Sequence, residues 1–149
     1  MSTPPLKLQY YKIAFMRIRR GNYRGRVINA KPIFLISILE LISKGLLKDN
    51  RIYYSSMLQE EFCKQHSIFD PLIPTTPLYK PFLHLSQEVE AFWHLQYNSP
   101  CEKIVFSDLF IRDHVNYASF DNALWDLLQD NESRALLKNV LIQTFLTEK

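Results

Sequence analysis

Between residues 17 and 31 the chain places six cations, Arg17, Arg19, Arg20, Arg24, Arg26 and Lys31, and no carboxylate. Arginine outnumbers lysine five to one in this stretch, and a planar guanidinium suits forked contact with a phosphate or with a guanine edge. Solvated charged faces ordinarily mix signs, so a run this one-sided predicts a polyanion-binding face. The asymmetry reaches further, because residues 1–39 hold eight Lys or Arg and no Asp or Glu. The first quarter thus carries +8 and the remainder −5. Tyr10, Tyr11 and Tyr23 lie in or beside the basic stretch, available either to stack on bases or to pack inward.

Other reactive side chains form no comparable pattern. His66, His84, His94 and His114 are scattered, whereas an HNH nuclease needs histidines clustered on a small metal-holding unit. Glu60 and Glu61 are adjacent and on a helix face different directions, so they predict a solvated face and not a shared metal. Cys63 and Cys101 are isolated, without the paired spacing of a zinc knuckle or a disulfide framework, and read as structural thiols. No Gly-rich phosphate loop or nucleophile elbow occurs. The expectation is therefore a binding module with no catalytic residues, metal or cofactor of its own. His84 and His94, each directly before a leucine, are the one pair whose position on a shared strand face would bring two imidazoles together.

The elements that must position these groups follow from periodicity and punctuation. Residues 6–20 predict a helix with Leu6, Tyr10, Ile13 and Ala14 on one face, stopped by Gly21 and followed by a basic loop over 21–30. Lys31-Pro32 opens a second helix whose body, residues 33–44, is apolar nearly all round, with Gly45 as its stop. That helix must be central to the core. Asp49-Asn50 predicts a turn into a short strand over 51–54. Ser56 and Gln59 form a capping-box pattern for a helix over 57–66, burying Leu58 and Phe62. Prolines at 71, 74 and 77 predict a loop over 67–80. Residues 81–85 and 92–96 predict a β-hairpin, with 103–106 as a further strand. Helices are expected over 107–114, over 121–129 behind an Asp cap, and over 131–146 with Leu137, Val140, Leu141 and Phe145 on one face.

This pattern predicts an α+β domain, mainly helical with about five to six helices and a small antiparallel sheet or hairpin, and the 149 residues suit a single domain. At 47% hydrophobic and 22% charged residues the chain has the composition of a globular protein. It shows neither a signal-peptide pattern at its start nor an apolar run of ~20 residues, from which a cytoplasmic location is expected.

The order of motifs adds a resemblance. Lys31-Pro32-Ile33-Phe34-Leu35-Ile36 is followed by Gly45 with Asp49-Asn50-Arg51-Ile52, then Pro81-Phe82-Leu83-His84-Leu85 and Phe92-Trp93-His94-Leu95. Last comes Tyr117-Ala118-Ser119-Phe120-Asp121-Asn122-Ala123-Leu124-Trp125-Asp126-Leu127-Leu128. This series resembles the N-terminal domain of bacterial HNH restriction endonucleases, a domain itself similar to the sulfur-binding domain of phosphorothioate-dependent type IV restriction enzymes. The likeness spans about residues 10–146. It implies recognition of double-stranded DNA, plain or backbone-modified, with cleavage done by a separate HNH domain or a separately encoded nuclease. Carried over position by position, Lys31 matches the family's basic residue before the proline, and Pro81-Phe82 matches the Pro-Phe pair near the sulfur-contacting surface. Ala30 stands where the family has His, and Gly25-Arg26-Val27-Ile28-Asn29 replaces a small Gly-x-Ala-Pro lead-in. The expected nucleic-acid face is then Arg17, Arg19, Arg20, Arg24, Arg26 and Lys31, joined by Tyr79, Lys80, Pro81 and His84. The alternative is a protein-interaction or homo-oligomerisation domain, its basic N-terminal part complementary to its acidic C-terminal part.

Overall fold

Helix α2 (Ala30–Ser43) runs through the middle of the molecule, and its sequence explains why. Ile33, Phe34, Leu35, Ile36, Ile38 and Leu39 point in every direction around the helix and are all essentially inaccessible to solvent. Only an element surrounded by others can bury such a sequence. Pro32 sits in the first turn, where its missing N–H is not needed. At the other end Gly45 adopts φ +73°; the Gly45 N–H donates to Ile42 O and the Leu46 N–H to Leu41 O, closing the helix with a Schellman motif.

A computed structural model of the chain describes residues 5–147. The remaining elements are α1 (Pro5–Met16), β1 (Gly21–Tyr23), β2 (Arg26–Ile28), α3 (Ser56–Phe69), α4 (Tyr79–His84), β3 (Trp93–Tyr97), α5 (Asp108–His114), β4 (Val115–Phe120), α6 (Asn122–Leu128) and α7 (Asn131–Leu141). A 3₁₀ turn, Leu85–Gln87, follows α4, and a π-helical turn, Ile142–Leu146, extends α7. The described residues form an α+β fold of seven α-helices and two separate two-stranded antiparallel sheets, β1-β2 and β3-β4. Helices α3, α4 and α7 pack on α2, and α1 lies against α6 and α7. No described helix is long and apolar enough to cross a membrane.

The core is organised around Phe34, whose ring meets Phe62, Phe82 and Trp93 edge-on at 5.4–6.1 Å between centroids. Trp93 satisfies its indole N–H by donating to Phe82 O at 2.7 Å and packs against Phe120. One polar residue braces this assembly. Asn50 donates from Nδ2 to Phe120 O and accepts the Phe120 N–H at Oδ1, both at 2.8 Å, so its amide replaces a neighbouring strand at the end of β4.

Several local expectations differ from the fold. Helix α1 ends at Met16, and Tyr11, Ala14, Phe15 and Ile18 are buried while Leu6, Tyr10 and Ile13 are exposed. Both sets have three-and-four spacing, and the side on which α6 and α7 lie selects between them. The basic loop is the β1-β2 hairpin. Residues 51–54 contribute one bridge, Ile52 to Ala118, in place of a strand, and 103–106 form none. Ser55, not Ser56, caps α3, its hydroxyl accepting the Leu58 N–H. That helix continues to Phe69, inside the stretch read as a loop.

The largest correction concerns residues 81–96. Residues 81–85 are helical, and β3 pairs with β4, Trp93 opposite Phe120 and His94 opposite Ser119. Pro81 occupies the first turn of α4, so it does not interrupt the helix. Glu61, expected to be solvated, is buried and bonded to Lys44 at 2.8 Å and to Gln65 at 2.7 Å. Burial by itself would raise its pKa, but these partners outweigh it and hold the carboxyl below the usual range. Asp121 holds the N-cap position of α6 without a side-chain cap bond.

Candidate nucleic-acid interface

The chain reaches the hairpin from α1 through Ile18, which is buried, so Arg17 and Arg19 turn outward on either side of it. Strands β1 and β2 expose every residue except Ile28, which is half-buried. Their turn consists of Arg24 at φ +51° and Gly25 at φ +82°. Two successive positive φ values are what a two-residue turn needs to match the twist of its strands. The Asn22 side chain accepts the Gly25 N–H at 2.9 Å and helps to hold that turn. Arg24, over the Tyr23 ring at 5.3 Å, and Arg26 stand at the exposed tip.

At the base of the hairpin lies a cavity of about 470 Å³. Of the ten residues expected at the interface, Arg19, Arg20, Lys31, Lys80, Pro81 and His84 line it. They come from the end of the α1 connection, the first turn of α2 and helix α4, three elements that the sequence separates by up to 65 positions. The hairpin supplies Gly21, Asn22 and Ile28 to the same wall, and Thr76 and Gln87 complete much of the rest.

The other four expected residues lie elsewhere. Arg24 and Arg26 are at the hairpin tip, Arg17 faces Glu90, and Tyr79 packs half-buried against the core. Phe82, expected near the binding surface, is wholly buried. His84 and His94 do not share a strand face. His84 belongs to α4 and stacks on Phe106 with centroids 4.2 Å apart and planes 10° apart. His94 belongs to β3, with Nε2 2.5 Å from Asp121 Oδ1, while Tyr11 donates its hydroxyl to Asp121 Oδ2 at 2.7 Å. Burial, reinforced by the Asp121 carboxylate, pushes the Tyr11 hydroxyl above its ordinary range. Tyr11 thus packs inward, whereas Tyr10 and Tyr23 remain exposed.

The acid-free segment acquires its counter-charges from far along the chain. Glu88, almost fully buried, pairs with Lys31 and accepts the Arg19 backbone N–H at 3.2 Å; the Arg19 guanidinium stands 3.6 Å away. Glu90 pairs with Arg17 at 3.0 Å. Arg19 also donates to Gln87 O. Arg20 donates to Asn29 Oδ1 at 2.9 Å and lies over the Phe145 ring at 4.7 Å. Among the described residues Arg20, Arg24, Arg26 and Lys80 meet no carboxylate. Sequence reasoning missed Glu88 and Glu90 because their role depends on where the chain after α4 returns, and nothing in their local spacing signals it.

No protein-family model and no curated protein matches this chain. Its chemistry must be read from the geometry. Among the described residues no cluster of three or more His, Cys, Asp or Glu side chains could hold a metal ion. Burial, followed by the nearby charges of Lys31 and Lys80, pushes His84 below the ordinary histidine range. At neutral pH His84 is therefore an uncharged imidazole beside the cations of Arg19, Arg20, Lys31 and Lys80.

Proposed function

We propose that this protein binds double-stranded DNA through its phosphate backbone, as the recognition module of a restriction-type system. The observation that carries the reading is the joining of an exposed, arginine-tipped β-ribbon to a cation-lined cavity at its base. A two-stranded ribbon is narrow enough to enter a DNA groove. Arg24 and Arg26 would contact phosphates along it, while Arg20 and Lys80 meet the backbone at the base. The restriction-type assignment comes from the motif order, with strand cleavage belonging to another domain or polypeptide. Charge complementarity between copies is less well supported. Four of the carboxylates that would serve it are engaged within the chain, Glu88 and Glu90 with the basic segment, Glu61 with Lys44 and Glu40 with Lys138.

Four cations free of carboxylate predict about four phosphate contacts, hence a slope of log K against log salt of roughly −3.6. Fluorescence anisotropy of a labelled duplex titrated at several salt concentrations measures it. A flat salt response, or no binding at low salt, defeats the proposal.

A further inference from the structure

A duplex backbone is a convex rod, and exposed arginines suffice to hold it. A concave, cation-lined cavity is not needed for that task. We propose that the cavity beneath the hairpin takes a phosphomonoester, the terminal phosphate of a nucleic-acid strand or that of a free mononucleotide. The strand-end form rests on the DNA-binding reading above; the mononucleotide form does not.

Charge favours this ligand over an internal phosphodiester. Arg19, Arg20, Lys31 and Lys80 line the cavity, and among the described residues the only carboxylate paired with any of them is Glu88, which stands behind the lining. An excess of three positive charges exceeds what one phosphodiester neutralises. A phosphomonoester brings roughly −1.5 to −2 at neutral pH and three unsubstituted oxygens, all strong acceptors. It also projects from its sugar on one bond, so it can enter a concave site that a phosphodiester, flanked by sugar on both sides, meets only at the rim.

The lining also argues against an everted base. Bases taken out of a stack are held between aromatic or apolar planes, and the cavity presents no Phe, Tyr or Trp. Its single planar ring, His84, already has Phe106 stacked on it.

Three of the four cations are placed before any ligand arrives. Lys31 is held by Glu88, Arg19 by Gln87 O and Glu88, and Arg20 by Asn29 and Phe145. Such fixing removes part of the ordering cost of binding. Asn29 occupies the N-cap position of α2 but spends its side-chain oxygen on Arg20, and Ala30 at the first turn lines the cavity. The positive end of the helix dipole therefore adds to the same field. Lys80, on α4, has no side-chain hydrogen bond or ion pair among the described residues and is exposed, free to close on the ligand.

Competition anisotropy with short duplexes identical except for their ends, 5′-phosphate, 3′-phosphate or hydroxyl, tests the strand-end source. Calorimetry with adenosine monophosphate against adenosine tests the mononucleotide source. Phosphorylated ends are expected to bind about tenfold or more tightly than hydroxyl ends, from one or more additional charge-assisted hydrogen bonds. Arg20→Ala and the exposed Lys80→Ala are each expected to abolish that preference, with thermal melting confirming that the variants fold. Arg24→Ala/Arg26→Ala is expected to weaken every duplex alike and leave monophosphate binding unchanged. Equal affinity for all ends, with no discrimination of monophosphate from nucleoside, overturns the inference even where salt-sensitive duplex binding stands. Monophosphate binding without any duplex binding upholds the cavity's ligand, assigns it to free nucleotide, and refutes the DNA-binding reading instead.

Discussion

Hairpin β1-β2 and helix α2 are consecutive in the chain, one residue apart, and occupy opposite environments. Eleven of the fourteen residues of α2 are buried, whereas the hairpin exposes all of β1 and most of β2. Most side chains of the helix are apolar and stabilise the fold by leaving water, at about 1.5–3 kcal/mol each for a large aliphatic or aromatic group. The hairpin carries arginines, asparagine and a tyrosine whose polar ends stay solvated. Stability and binding are thereby assigned to adjacent but separate segments. Asn29 and Lys31 are the junction, where the cap position of the buried helix also organises the cavity wall.

The sharpest way to break this division is at the centre of α2. Phe34→Ala removes the ring around which Phe62, Phe82 and Trp93 are arranged, and is expected to cost about 3–5 kcal/mol in urea unfolding. A loss under ~1 kcal/mol would mean that the core lies elsewhere. A smaller effect is expected from pH. Burial pushes His66 below its ordinary pKa, against the opposing influence of Asp70. Its folded form is thus neutral at a pH where the unfolded chain takes up a proton. Stability from this residue is complete above the ordinary histidine pKa of about 6.5 and is lost as pH falls through it. Unfolding at pH 7.5 and 5.5 should show that loss, and His66→Gln should reduce it; an equal loss in both proteins refutes the assignment. The smallest change in stability should come from the hairpin tip. Arg24→Ala/Arg26→Ala is expected to shift unfolding by no more than about 0.5 kcal/mol, while the salt slope of duplex binding becomes shallower by roughly 1.8. A large stability loss there would erase the contrast with α2.

The elements legible in the sequence were those specified within a few residues. Helix α2 announced itself through continuous apolar residues and ended at Gly45 as expected, because a left-handed terminus needs a residue without a Cβ. Ser107 caps α5, accepting the Phe110 N–H, where the spacing placed that helix. Leu137 and Leu141 of α7 are buried as their spacing predicted. The basic stretch was also legible as composition, and three of its six candidate residues, Arg19, Arg20 and Lys31, meet at one cavity.

What failed was pairing across long separations. The sequence Pro81-Phe82-Leu83-His84-Leu85 reads as a short apolar strand, yet the strand that β3 needed came from 115–120, which begins 18 residues after β3 ends. Asn50 reads locally as a turn residue, but its amide completes β4. Charge failed in the same way, since residues 17–31 contain no acid and still receive Glu88 and Glu90.

By itself the sequence settled most of the helical segments, α4 excepted, together with which helix would be buried and which quarter would be cationic, because propensity, periodicity and charge act between near neighbours. Tertiary structure alone decided that Arg19, Arg20 and Lys31 would face Lys80 and His84 across a cavity, and that Glu88 would hold two of these cations from behind. Such arrangements depend on the path of the whole chain, through packing and electrostatic interactions that operate across space without regard to sequence distance.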